Sequence, residues 1–126
     1  MSLSHAVAYV DHELAQVLQF DSEQVLEQKV HQHLHFSKQH GSGVRTEHEF
    51  FGQVCDALDG IAEVLVVGAH TGLADFRRYL DKHRPITAKH IVGFDVLDHP
   101  SEKQMLAHAR QHFVKHDQMA GKHVAM

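Results

Sequence analysis

The sequence predicts a single α/β domain, a mixed five-stranded sheet with helices on both faces. Three observations carry that prediction. Residues 5–35 hold three strand-like stretches separated by short polar turns, the pattern of an antiparallel meander. Val64, Leu65, Val66 and Val67 form an unbroken apolar run that ends at Gly68, as a strand covered on both faces requires. After that run, helix and strand patterns alternate, which calls for parallel pairing through crossover helices.

The elements follow in order. Residues 5–10, HAVAYV, read as the first strand, and Asp11, His12 and Glu13 as a polar turn. Residues 14–20 are the second strand, with Leu14, Gln16, Leu18 and Phe20 on one face. The third strand, about 24–35, alternates. Leu26, Val30 and Leu34 face one way; Glu27, Lys29, His31, His33 and His35 face the other, which suits a strand near an edge. Residues 36–45, FSKQHGSGVR, form a loop. Thr46 and Glu49 have capping-box spacing and open a helix whose apolar stripe is Phe50, Phe51, Val54, Cys55 and Leu58. Gly60 is its stop. The central strand follows, and then a helix over 73–83 with Leu73, Phe76 and Leu80 inward, ended by Pro85. Residues 90–96 are the last strand. Ser101 and Gln104 cap a final helix to about Val114, with Met105, Leu106, Ala109 and Phe113 inward. The core spans about 5–114, and 115–126 read as a frayed tail. The order β-β-β-α-β-α-β-α predicts strand order 3-2-1-4-5, a ribonuclease-H-like sheet with strands 1, 4 and 5 parallel.

Composition narrows the function classes. At 126 residues, 43% hydrophobic and 22% charged, one ordinary core suffices. The single cysteine excludes an internal disulfide and fits a reducing, cytoplasmic compartment. No apolar run approaches membrane-spanning length and no signal design opens the chain, so no membrane partner is expected. Net charge is −4 with histidine neutral, which gives no global attraction to nucleic acid. The unusual number is fifteen histidines, which make the field pH-dependent near neutrality.

Several stretches together resemble a known family. AVAYVDHELAQVLQF, HGSGVRTEHEFFGQVCDALDG, AEVLVVGAHTGLADFRRYLDKH and HIVGFDVLDHPSEKQMLAHARQHF occur in the order of the middle domain of the archaeo-eukaryotic peptide-chain release factors and the rescue factor Pelota. The resemblance is to the short, single-domain form found in bacteria, often labelled translational machinery proteins, and covers about 5–113. It implies a translation-associated role with the ribosome or tRNA as partner. Release factors carry Gly-Gly-Gln at the tip of the loop between the third strand and the first helix. The glycines let the backbone enter the peptidyl-transferase centre, and the glutamine positions the attacking water. Here the stretch is Gln39, His40, Gly41, Ser42, Gly43, Val44. Ser42 splits the glycines and no glutamine follows. The resemblance therefore implies a binding module with no catalytic residues and no cofactor. Its contact loop comprises Lys38, His40, Gly41, Ser42, Gly43 and Arg45.

Other residues keep rival readings open. Arg77, Arg78, Lys82 and Arg84 make the densest basic cluster, blunted by Asp75 and Asp81; it reads as a solvated helix face or a secondary RNA-contacting patch. His31, His33 and His35 share a strand face and are candidate metal ligands, although a straight row of ligands suits a tetrahedron poorly. Asp11, Asp95 and Asp98 raise the two-metal nuclease question, but the predicted sheet does not bring them together. Asp98 and His99 read as turn chemistry, Cys55 as a core residue. The alternatives are thus an enzyme, either a peptidyl-tRNA hydrolase with an altered glycine loop or a divergent ribonuclease-H-like nuclease, and a histidine-rich metal- or pH-responsive module.

Overall fold

A computed structural model describes residues 5–21, 23–31 and 43–119, without the side chains of 43–46 and 116–119. Strands β1 (His5–Val10), β2 (Leu14–Phe20) and β3 (Val25–His31) form the meander. Helix α1 (Gly43–Leu58), strand β4 (Glu63–Gly68), helix α2 (His70–His83), short helix α3 (Pro85–Ala88), strand β5 (Ile91–Val96) and helix α4 (Glu102–Met119) follow. The sheet order is β3-β2-β1-β4-β5, as the sequence predicts. β1 runs antiparallel to β2 and parallel to β4, and β4 runs parallel to β5.

The two faces carry separate cores. On one, Phe50, Phe51, Val54, Cys55 and Leu58 of α1 and Leu73, Phe76 and Leu80 of α2 pack on Ala6, Ala8, Ala15, Val17, Val64 and Val66. The small strand residues leave room for the large helix rings, the interdigitation that a close-packed interior demands. On the other, Met105, Ala109 and Phe113 of α4 cover Val7, Tyr9, Leu18, Phe20, Leu65 and Val67. β1 and β4 are thus apolar on both sides, which is why their sequences do not alternate.

The turns are built as the residues suggest. Asp11 Oδ1 accepts the N–H groups of Glu13 (2.8 Å) and Leu14 (2.7 Å), and Asp21 Oδ1 does the same for Glu23 and Gln24. Gly60, at φ 86°, takes the left-handed conformation after α1. Ser101 and Gln104 form a reciprocal capping box, with Gln104 N–H donating to Ser101 Oγ at 3.1 Å and Ser101 N–H to Gln104 Oε1 at 2.7 Å.

Several boundaries differ from expectation. α1 begins at Gly43, so Thr46 lies inside it rather than capping it; Val44 and Arg45 contain no breaker to stop the helix there. α2 begins at His70, three residues early, with Gly72 buried inside it. Pro85 ends α2 but also opens α3, because a proline fits the first helical position. α4 continues to Met119, since nothing between 115 and 119 breaks a helix. That places part of the expected frayed tail in a helix. Leu26, expected inward, is 56% exposed near the outer end of edge strand β3, while Val30 is buried. Leu34, His33 and His35 lie outside the described residues.

Two tests of this packing follow. A Cβ at Gly68 would collide with the Val10 carbonyl oxygen, where the end of β4 passes β1. Gly68→Ala should therefore cost about 1–3 kcal/mol, as overpacking does; an unchanged urea midpoint would contradict this placement. Cys55 is fully buried, and burial pushes its thiol up to about 11. A thiol reagent near neutral pH should label it only as fast as the protein opens, and denaturant should accelerate labelling sharply.

Candidate functional site

The ends of β1 and β4 and the N-terminal halves of α1 and α2 come together, with Gly68 against the Val10 carbonyl and His12 near Glu47 and Asp75. The turn at 11–13, fixed by the Asp11 carboxylate, aims His12 across at α2. His12 Nε2 lies 2.8 Å from Asp75 Oδ2 and 3.6 Å from Glu47 Oε2. Arg78 donates to the other Asp75 oxygen, Oδ1, at 3.1 Å. The hydrogen bond from His12, helped by the charges of His12 and Arg78, holds the Asp75 carboxyl below its ordinary value. Gly72 makes the approach possible, because a Cβ there would press on the Asp11 backbone at 3.1 Å.

A seam between α1 and α2 continues from this cluster. The His48, Tyr79 and His83 rings sit together, with centroids 4.9–5.3 Å apart. They line a shallow recess of about 190 Å³ with Lys82, Arg78 and Glu47. A larger open recess of about 460 Å³ lies on the other side of α2, against β5, lined by His70, Leu73, Arg77, Phe94 and Val96 among others.

The basic cluster of the sequence is divided among these surfaces. Arg77 stacks over the Phe94 ring, 5.0 Å from its centroid, on the β5 side. Arg78 pairs with Asp75, and Lys82 lines the α1–α2 recess. Arg84 turns back to α1, where its Nη2 meets Asp56 Oδ1 at 3.1 Å and the Gly52 carbonyl at 3.4 Å. That ion pair raises the Arg84 pKa further.

Of the contact loop, Lys38, His40, Gly41 and Ser42 lie outside the described residues, and Gly43 and Arg45 are known here only as α1 backbone. His31 is exposed at the end of β3, paired with Leu14. The nuclease candidates are engaged separately: Asp11 in its turn, Asp95 with His108 of α4 at 2.8 Å, and Asp98 with its neighbour His99 at 2.7 Å. Among the described residues, the one group of three or more metal-type ligands within reach of each other is His12, Glu47 and Asp75. Sequence reasoning placed His12 and Asp75 in a turn and a helix face and did not single out Glu47. Sixty-three positions separate His12 from Asp75, so no local spacing announces the pair.

No protein-family model matches the chain, and no characterised protein matches it in sequence. Solved structures share its fold. Pelota from Archaeoglobus fulgidus aligns over 97% of this chain, with a TM-score of 0.63 and 19% identity. An archaeal translation termination factor, aRF1, aligns over 94%, with a TM-score of 0.60 and 12% identity. Dom34 of S. cerevisiae, a translation termination-like factor involved in RNA quality control, aligns over 82%, with a TM-score of 0.51 and 9% identity. The fold is therefore one that occurs within Pelota and release-factor-type proteins. The chain accounts for 34%, 41% and 31% of those three chains, so it spans about a third to two-fifths of their length.

Proposed function

We propose that this chain is a translation-associated binding module of the release- and rescue-factor type, which contacts the ribosome or tRNA without hydrolysing peptidyl-tRNA. The observation that supports this most is the superposition of nearly the whole chain on one part of Pelota and of a termination factor. The contact surface in this reading is the segment carrying Lys38, His40, Gly41, Ser42, Gly43 and Arg45. Its glycines permit close backbone approach and its cations meet phosphates. The α1–α2 seam extends the surface, since His48, Tyr79 and His83 offer rings for unpaired bases beside Lys82. Arg77 is a secondary contact. The lack of glutamine after the glycines removes the group that would orient water, which favours binding over hydrolysis. The same reading places the chain among bacterial relatives of these factors, working in the cytoplasm.

Cosedimentation with ribosomes tests the proposal. The protein should pellet at low salt and less at moderate salt. Absence from the pellet under both conditions would overturn the reading. Release of peptide from ribosome-bound peptidyl-tRNA would overturn its non-hydrolytic part and favour the altered-loop hydrolase.

A further inference from the structure

We propose that His12, Glu47 and Asp75 form a binding site for a divalent first-row transition-metal ion, with Zn²⁺ the best fit. The three side chains come from three separate elements, the β1–β2 turn, α1 and α2, yet one ligand atom of each lies within 4.8 Å of the others. Zinc bonds to nitrogen and oxygen of about 2.0–2.2 Å imply tetrahedron edges of about 3.3–3.6 Å. The His12–Glu47 separation of 3.6 Å already matches such an edge, and the His12–Asp75 separation of 2.8 Å needs only a small opening. One imidazole and two carboxylates suit a borderline ion, and zinc outranks manganese and iron at such donors.

Two of the ligands, His12 and Asp75, are held in place independently of any ion. Asp11 fixes the turn that presents His12, and Arg78 holds Asp75 Oδ1, leaving Oδ2 directed at His12. Outer partners of this kind orient ligating carboxylates in metal sites. All three ligands are partly exposed, at 42%, 29% and 36%, so an ion can enter and keep a water in its fourth position. As a bare surface network these charges contribute little to stability. With an ion between them they tie the β1–β2 turn to α1 and α2, one turn from where the glycine segment joins α1. His31, at the end of edge strand β3, is not one of these ligands, and His33 and His35 lie outside the described residues.

Titration calorimetry with Zn²⁺ on the full chain decides this, in a background where His31, His33 and His35 are replaced by alanine. The background should bind one ion, and Co²⁺ should give visible tetrahedral absorption bands. Glu47→Gln, Asp75→Asn and His12→Ala should each weaken binding more than about tenfold, since even outer partners cost 10–100-fold. Zn²⁺ should raise the unfolding temperature of the background and raise that of the three variants by less at the same concentration. Equal affinity in Glu47→Gln, Asp75→Asn and the background, or no binding by the background, would overturn the site. The outcome is independent of ribosome binding, so either proposal can fail alone.

Discussion

Phe76→Ala should lower the unfolding free energy by about 3–5 kcal/mol, more than any other single truncation considered for this chain. Phe76 is fully buried at the centre of the larger core. Its ring meets Phe51 edge-on at 5.2 Å between centroids, and Phe51 in turn touches Phe50 and Tyr79. The sheet on this face presents Ala6, Ala8, Val64 and Val66, short side chains with little length with which to refill a hole. The cavity term therefore adds almost fully to the lost transfer energy. Leu106→Ala, at a partly exposed position on the opposite face, should cost much less. Urea unfolding measures both, and an equal shift of the two midpoints would mean the α1–α2 face is packed more loosely than described. The effect also reaches the polar cluster, because Asp75 precedes Phe76 on α2. A mobile α2 would loosen the His12–Asp75 contact, so Phe76→Ala should weaken Zn²⁺ binding as well.

The strand order was readable from the chain because it rests on local features. Two short turns bind β1, β2 and β3 into a meander, and the apolar run of β4 announces a strand buried on both faces. A crossover helix then leaves few arrangements. Helix starts were less readable. Gly72 looks like a boundary because glycine is a poor helix former, but it sits inside α2, where a side chain would crowd the Asp11 backbone. That reason is tertiary and invisible in the segment itself. The basic run misleads in a similar way. Arg77 and Arg78 are adjacent in sequence but about 100° apart around a helix, so Arg77 lies over Phe94 of β5 while Arg78 pairs with Asp75. Arg84 lies past the helix end and folds back onto Asp56. The polar cluster at His12 was not legible at all, since its members come from distant positions and each has an ordinary local role. Sequence reasoning does well where neighbours decide and poorly where two surfaces meet.

That division sharpens the expectation for ribosome binding, in which the loop cations and the helix cations have different weights. If Lys38 and Arg45 each neutralise a phosphate of single-stranded RNA, together they contribute about −1.4 to the slope of log affinity against log salt. That slope corresponds to roughly a sevenfold loss of binding over a fourfold rise in salt. Replacing both with alanine should weaken pelleting at low salt and flatten its salt dependence by about that amount. Arg84→Ala should leave the slope unchanged, because its guanidinium is already committed to Asp56 and Gly52, and should act on stability instead. Arg77 holds its charge over the Phe94 ring beside an open recess, so Arg77→Ala should have a smaller effect than the loop pair. A titration of pelleting against salt separates these cases. If the loop pair leaves the slope intact while Arg77→Ala flattens it, the interface lies on the β5 side of α2 and the glycine segment is not its centre.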